Sequence, residues 1–137
     1  CSFILCGFVV VFRFGWYSVN FEEIAQYQRD GDWGRAGQKL ADIAKRLQDM
    51  GAEGIMLATN TMHKVADDII AAIDVPFLHI ADATAQAILA QNLQQVALLG
   101  TAFTMREAFY RDRLASFGID CLVPDESEQA DIHRIIF

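Results

Sequence analysis

Two polar corners follow apolar runs in this sequence, and both carry side chains that can hold an anion. The first comes directly after the run GIMLA at 54–58, and the second comes directly after VALL at 96–99. The corner residues are Thr59, Asn60 and Thr61 in the first, and Gly100, Thr101 and Thr104 in the second. If each run is a strand and each corner opens a helix, hydroxyl, amide and backbone N–H groups gather where the helix dipole favours a carboxylate or phosphate. Both corners therefore predict binding of a small anionic ligand.

A second interpretation of the same residues is structural. Asn and Thr are among the commonest residues at helix N-caps, so they can simply satisfy the free N–H groups of the first turn. Neither corner is a phosphate-binding loop, because the chain contains no GxGxxG and no GxxxxGK followed by Ser or Thr. A bound nucleotide is therefore not expected at either corner.

A few other side chains have types that can do chemistry. Gln28 can reach a ligand from the end of a short helix, although an exposed surface glutamine is the commoner case. His63 follows the first corner and either titrates near neutrality or caps its own turn. The remaining candidates are assigned structural roles: a core position for His79, solvated helix positions for His133 and Arg134, and an inert buried thiol for Cys121.

Alternating helix and strand patterns predict how these corners are positioned. A short helix is expected over 21–29, and a buried stripe at three- and four-residue spacing predicts a second helix over 35–50. The first corner then leads into one helical face from Met62 to Ile73. Further expected elements are a strand at 76–80, a helix at 83–90 with Asp82 as N-cap, strands at 96–100 and 120–123, helices at 104–117 and from 127 onward, and strand-like segments at 8–12 and 16–19.

This alternation predicts an α/β protein with a parallel sheet. The continuous apolar run GIMLA is typical of a strand that is buried on both faces of such a sheet. Ligands of open parallel sheets bind beyond the carboxyl ends of the strands, which is where both corners fall.

Composition restricts the function classes. The 137 residues are 53% hydrophobic, a composition typical of a folded domain and not of a disordered chain. The formal net charge is −7, which argues against a nucleic-acid partner. The three cysteines, Cys1, Cys6 and Cys121, have irregular spacing, which predicts neither a disulfide framework nor a zinc site and favours a reducing, cytoplasmic location.

The apolar start CSFILCGFVVVF is too short for a membrane span and is predicted to be a buried strand rather than a signal remnant. The ends, without an initial Met and with IHRIIF in the middle of an apolar pattern, suggest a fragment.

Five segments resemble one enzyme family. The stretches FEEIAQYQRDGDWGRAG, GAEGIMLATNTMHKVAD, VPFLHIADAT, VALLGTAFTMREAFYRDRL and GIDCLVPDE are similar to the aspartate/glutamate racemase family, and most similar to its broad-specificity enterobacterial amino-acid racemase branch. The similarity covers residues 17–137, whereas residues 1–15 are atypical of the family. It implies a Rossmann-like fold with one nearly complete half over 1–95 and the truncated start of a second, pseudo-symmetric half over 96–137.

The resemblance also implies a reaction and its residues. Such enzymes invert the α-carbon of amino acids without metal or organic cofactor, using two opposed groups that exchange one proton. By this likeness Thr59 is one acid/base residue in the place of the usual Cys, while Asn60 and Thr61 hold the substrate carboxylate and Gln28 is a further contact. The expected substrates are L-aspartate, L-glutamate or related amino acids, and the expected assembly is a homodimer.

Three alternatives stay open at this point. The second catalytic Cys of the family would lie beyond Phe137, and Cys121 lacks the family's surrounding motif, so this chain alone is expected to lack a complete catalytic pair. A dicarboxylate-binding or amino-acid-binding module without turnover is therefore one alternative. Maleate isomerase or hydantoin racemase chemistry on the same scaffold is another, although paired cysteines are usual there and Thr59 counts against it. An inactive gene product is the third.

Overall fold

The computed structural model describes residues 15–136 as helices alternating with short strands. The α-helices in this part are α1 (Phe21–Asp30), α2 (Trp33–Asp49), α3 (Ala66–Ala72), α4 (Ile80–Ala90), α5 (Ala102–Arg106), α6 (Ala108–Ala115) and α7 (Glu126–Ile136). The strands are β1 (Ile55–Met56), β2 (Phe77–Leu78), β3 (Gln95–Ala97) and β4 (Asp120–Leu122), and a 3₁₀ helix spans Thr61–Val65. The predicted strand at 8–12, Cys1 and Cys6 lie outside the described residues.

Helices α1 and α2 confirm the two predicted near the start, and their ends follow local chemistry. The Asn20 side chain caps α1 by accepting from the N–H of Glu22, and Asp32 caps α2 by accepting from Arg35. Gly31 follows α1 with a left-handed φ of 70°, a conformation that suits glycine. The buried side of α2 carries the predicted stripe, which includes Ala36, Leu40, Ile43 and Ala44.

Strand β1 and the corner after it differ from the sequence prediction in two ways. Ile55 is buried, but Met56 is 66% exposed, so the strand is not covered on both faces by the described residues. The helix predicted from residue 62 begins instead as the 3₁₀ helix and turns into α3 only at Ala66. Ile70, which the pattern placed on the buried face, is 44% exposed, whereas Ile69 beside it is buried.

Helix α4 begins earlier than predicted. Strand β2 ends at Leu78, and Ile80 is already the first helical residue. The N-cap is His79, whose Nδ1 accepts from the N–H of Ala81 at 3.2 Å, so Asp82 is not the cap. Asp82 lies in the first turn and pairs with Arg113 through two contacts of 2.6 and 2.7 Å. Ser, Thr, Asn and Asp are the preferred caps, and a histidine in this role gave no signal in the sequence.

The later segments follow the predicted order with one division. The helix predicted over 104–117 is two helices, α5 and α6, separated at Glu107, whose ψ of 143° is extended rather than helical. The segment predicted as a strand at 16–19 contains no regular secondary structure. Its aromatic and β-branched residues favour a strand only where a neighbouring strand offers a pleated surface, and none of the strands in residues 15–136 pairs with it.

Two small parallel sheets organise the chain. Strand β1 pairs with β2 in the register Ile55 to Phe77, and β3 pairs with β4 in the register Val96 to Cys121. Each pair is joined through intervening helices, as parallel strands require. The α/β class with parallel sheets is therefore confirmed.

Two buried clusters accompany the two sheets. The first joins α1, α2 and the 3₁₀ helix to β1, with Leu40, Ile55 and Ile69 among its members. The second joins α4 and α6 and includes Ala85, Leu114 and the fully buried Ile119. Helix α4 thus packs with the later elements, whereas the predicted division of the chain into 1–95 and 96–137 places it with the earlier ones. That boundary stays a prediction.

Two further features can be stated for residues 15–136. No helix among them is both long and apolar enough to cross a bilayer. No group of three or more His, Cys, Asp or Glu side chains in this part of the chain is arranged to hold a metal ion.

Candidate functional site

A cavity of about 430 Å³ lies between the two predicted corners. Both corners contribute to its walls, so the structure brings together two segments that are about 40 residues apart along the chain. The described lining consists of Thr59, Asn60, Thr61, Leu98, Leu99, Gly100, Thr101, Thr104, Tyr110 and Ile136. This lining is neutral and offers hydroxyl, amide and backbone groups, which suit a carboxylate better than a cation.

The first corner leaves its side chains available. Asn60 precedes the 3₁₀ helix, yet its side chain makes no capping hydrogen bond, and the residue is exposed. The turn is closed by the backbone instead, because the N–H of His63 donates to the carbonyl oxygen of Asn60 at 3.0 Å. The capping interpretation therefore does not apply to Asn60, and the residue lines the cavity.

The second corner uses its hydroxyl groups internally. The Thr101 side chain caps α5 by accepting from the N–H of Thr104 at 3.4 Å, and the two hydroxyl oxygens lie 3.2 Å apart. A Cβ at Gly100 would approach Thr104 to 3.3 Å, so glycine fits the close packing at this turn. The structural interpretation is correct for these hydroxyls, and the two corners that look alike in sequence differ in the structure.

Gln28 lies beside the first corner but on another side of Thr59. A second cavity of about 330 Å³ has both Gln28 and Thr59 in its wall, together with mostly apolar side chains. The amide Nε2 of Gln28 donates to the sulfur of Met62 at 3.0 Å. Thr59 thus borders both cavities, whereas Gln28 is not in the described lining of the cavity that holds Asn60 and Thr61.

His63, for which the sequence left two roles open, lies directly behind the first corner. Its side chain is buried, with 3% of the residue exposed, and Nδ1 lies 2.7 Å from the carbonyl oxygen of Thr59. Its Nε2 accepts from the N–H of Ile80 at 3.2 Å, at the start of α4. Burial lowers the pKa of His63 below its usual value. The only feature of the sequence that indicates this contact is the four-residue spacing between Thr59 and His63.

The other candidate histidines and Cys121 have identifiable contacts. His79 is mostly buried, as predicted, and burial lowers its pKa while its ring lies 4.5 Å from that of His63. His133 is not simply solvated, since its Nδ1 accepts from the N–H of Ala102 at 3.3 Å. Cys121 packs against the second cluster, and burial raises the pKa of its thiol, which keeps it protonated. Arg134 pairs with Asp131 on the exposed side of α7.

A polar and aromatic contact joins the two sides of the cavity. Lys64 lies 2.9 Å from the Glu107 carboxylate and 4.2 Å above the ring of Trp33. Trp33 in turn meets Phe103 edge-on with ring centroids 6.1 Å apart. The 3₁₀ helix that carries Thr61 is therefore tied to the α5 and α6 region.

Sequence comparison identifies a family. The Asp/Glu/Hydantoin racemase family model matches residues 11–137. The broad specificity amino-acid racemase RacX of Bacillus subtilis (strain 168) is 32% identical over 91 residues, which are 66% of this chain and 40% of that protein. An uncharacterized protein from the pnlA 3′ region of Pectobacterium carotovorum is 37% identical over 60 residues, 44% of this chain and 40% of that protein.

Solved structures agree with the sequence comparison. A protein from Yersinia pestis provisionally named an Asp/Glu racemase superposes with a TM-score of 0.83 at 51% identity. PH1733, an aspartate racemase homologue from Pyrococcus horikoshii OT3, superposes with a TM-score of 0.77 at 40% identity. In both cases the match covers 88% of this chain and 53% of the other, so this chain spans about half the length of each.

Proposed function

Because this chain belongs to the Asp/Glu/hydantoin racemase family, we propose that it supplies the Thr59 side of an amino-acid racemase that acts on aspartate and glutamate. One observation supports the proposal: Asn60, whose side chain makes no capping hydrogen bond, lines a cavity at the exit of β1 together with Thr59 and Thr61. Open parallel sheets bind ligands at that edge. The reaction requires no metal and no organic cofactor.

The mechanism begins with recognition of the substrate's α-carboxylate. The Asn60 amide and the Thr61 hydroxyl donate hydrogen bonds to its oxygens, and backbone N–H groups of the 3₁₀ helix add to them. When a base removes the α-hydrogen as a proton, the electron pair of the C–H bond moves onto the carboxylate. Fixed donors that strengthen as this charge develops lower the barrier most.

Inversion then needs a proton on the opposite face of the α-carbon. Thr59 stands beside the carboxylate donors, where its hydroxyl exchanges a proton with one face of the substrate. A second group, outside residues 15–136, serves the other face. A threonine hydroxyl ionises far less readily near neutral pH than a cysteine thiol, so proton removal by Thr59 is the slower direction if the second group is a cysteine. We propose a preference for L substrates, and we assign the activity to a cytoplasmic homodimer.

Solvent deuterium tests the proposal. L-Glutamate and L-aspartate are incubated in D₂O with the chain, and loss of the α-proton signal is followed by NMR. Exchange that disappears in Thr59→Val, persists in Thr59→Ser and weakens in Asn60→Ala supports the assigned roles. Exchange that is unchanged in Thr59→Val removes Thr59 from the mechanism. Formation of D-glutamate or D-aspartate by the wild-type chain would also mean that a second acid/base group lies within its 137 residues.

The second candidate is an amino-acid-binding module without turnover. It is favoured by the described lining, which offers carboxylate donors and Thr59 but no thiol. Saturable binding of glutamate with no α-proton exchange selects this candidate. Maleate isomerase and hydantoin racemase chemistry usually requires paired cysteines. It would be detected as turnover of maleate or of a substituted hydantoin under the same conditions.

A further inference from the structure

The hydrogen bonds of His63 determine which ring nitrogen carries the proton. A backbone carbonyl oxygen only accepts, so Nδ1 must donate its proton to Thr59 across 2.7 Å. A backbone N–H only donates, so Nε2 must be unprotonated to accept from Ile80 across 3.2 Å. Both bonds exist together only in the neutral ring with its proton on Nδ1.

These two bonds connect the corner after β1 to the start of α4. Thr59 is the last residue before the carboxylate donors, whereas Ile80 is the first residue of α4 and lies 17 positions from His63. The ring is held between them by His79 and Phe77, whose ring centroids lie 4.5 and 5.7 Å away. A buried ring with both nitrogens bonded has little freedom to move.

We propose that His63 is a positioning residue, whose neutral Nδ1-protonated ring fixes the Thr59 carbonyl and so orients the carboxylate-binding corner of residues 59–61. This inference rests on the proposed function, because Thr59 has a role only if that corner binds substrate. The ring reaches Thr59 through the backbone and does not line the cavity with Asn60 and Thr61. It therefore controls the geometry of the donors without contacting the substrate.

The charges around the ring set the pH at which this arrangement fails. From α4, His79 packs on the ring and the Asp82 carboxylate favours protonation of His63. Arg113 of α6 pairs with Asp82, and Asp67 of α3 acts on His79. Lys64, the next residue in the 3₁₀ helix, forms an ion pair with Glu107.

Protonation would disrupt the corner. A proton on Nε2 would face the N–H of Ile80, so two donors would meet where one bond existed. Burial lowers the pKa of His63, which keeps the ring neutral at pH 7. Loosening of the corner is therefore expected as the pH decreases through this lowered pKa.

Two substitutions separate the bonds. In His63→Asn the amide nitrogen takes the place of Nδ1 and keeps the bond to Thr59, and in His63→Gln the amide oxygen takes the place of Nε2 and keeps the bond to Ile80. Glutamate affinity is measured by calorimetry at several pH values, at a temperature where both variants are folded by circular dichroism. We expect His63→Asn to bind within about threefold of wild type and His63→Gln to bind about fivefold to tenfold more weakly, as one lost hydrogen bond implies.

The pH profile and the ring itself give independent readouts. Wild-type affinity should fall as the pH decreases through the lowered pKa of His63, whereas that of His63→Asn should not show this fall, because asparagine does not titrate. Long-range ¹H–¹⁵N spectra of the ring should show the Nδ1-bound proton, and the Thr59 carbonyl carbon should shift as the ring titrates. A proton on Nε2, or His63→Gln with wild-type affinity and pH profile, overturns the inference.

Failure of the proposed function is distinguishable from failure of this inference. If the wild-type chain binds no glutamate, the proposed function fails for this chain. The ring spectra and the response of the Thr59 carbonyl are measured without ligand, and they still decide whether His63 holds the corner in the stated tautomer.

Discussion

Acidification from about pH 7.5 to about pH 5 is expected to destabilise the chain through His63 and His79. Burial lowers the pKa of both below the usual value of about 6.5. In this range the unfolded chain binds protons that the folded chain does not, so the free energy of unfolding decreases as the pH decreases. The loss begins near the unfolded value of about 6.5 and ends below the lowered pKa values. Each histidine contributes a slope of at most about 1.4 kcal/mol per pH unit.

The neighbouring carboxylate reduces this slope without reversing it. Asp82 Oδ1 lies 4.0 Å from His79 Nδ1, and its charge favours the protonated form of both rings. Its own pKa is lowered by hydrogen bonds from Arg113, so Asp82 stays ionised throughout this range. The combined slope should therefore lie well below the limit of about 2.7 kcal/mol per pH unit for two protons.

Urea unfolding, followed by tryptophan fluorescence at half-unit pH steps, measures this slope. Two variants serve as matched controls: His63→Asn keeps a donor to the Thr59 carbonyl, and His79→Asn keeps an N-cap acceptor for α4. Each should flatten part of the dependence, and the double variant should remove most of it. A wild-type profile that is flat between pH 7.5 and 5, or a double variant that retains the full slope, refutes the assignment of this proton uptake to the buried pair.

Three further predictions concern packing, the joint beside the cavity and a helix cap. Gly37→Ala places a Cβ 2.0 Å from Oδ2 and 2.8 Å from Cγ of Asp68, an exposed side chain that must turn away, so a loss of at most about 1 kcal/mol in urea unfolding is expected, and the Gly37→Ala/Asp68→Ala double variant should remove it. A double-mutant cycle of Lys64→Met and Glu107→Gln should give a coupling of about 0.5–1 kcal/mol, and additive effects would exclude a contribution from this pair. Asp125→Ala removes the acceptor for the first turn of α7 and should cost about 1 kcal/mol, and an unchanged urea midpoint would contradict that role.

The sequence was sufficient where one physical signal dominated. The stripe of α2 has the 3.6-residue period of a helix with one buried face, and Gly31 suits the left-handed turn after α1, so both helices were predicted closely. The order of strands followed from short apolar runs between helical patterns, and β3 and β4 pair in parallel as that order implies.

The sequence was insufficient where tertiary contacts override local preference. Nothing in the local pattern separates α5 from α6, since Thr104 to Phe117 reads as one helix until Glu107 takes an extended ψ. Likewise Asp82 is a better N-cap by residue type than His79, but it is drawn to Arg113 instead. Such competition between partners distant in sequence is not visible in residue propensity.

The two polar corners show why a ligand site is harder to predict than a helix. Thr, Asn and Ser are used both to cap helices and to hold carboxylates, because the same oxygen and nitrogen atoms serve both purposes. The Thr101 hydroxyl caps its own helix. At Asn60 the backbone closes the turn instead, and His63 forms a hydrogen bond to the carbonyl oxygen of Thr59. A buried histidine four residues after Thr59 takes over the structural task, so the corner side chains stay available to a ligand. If this reasoning is correct, His63→Gln should loosen the 59–61 corner, whereas Thr101→Ala should destabilise α5 and leave glutamate binding nearly unchanged.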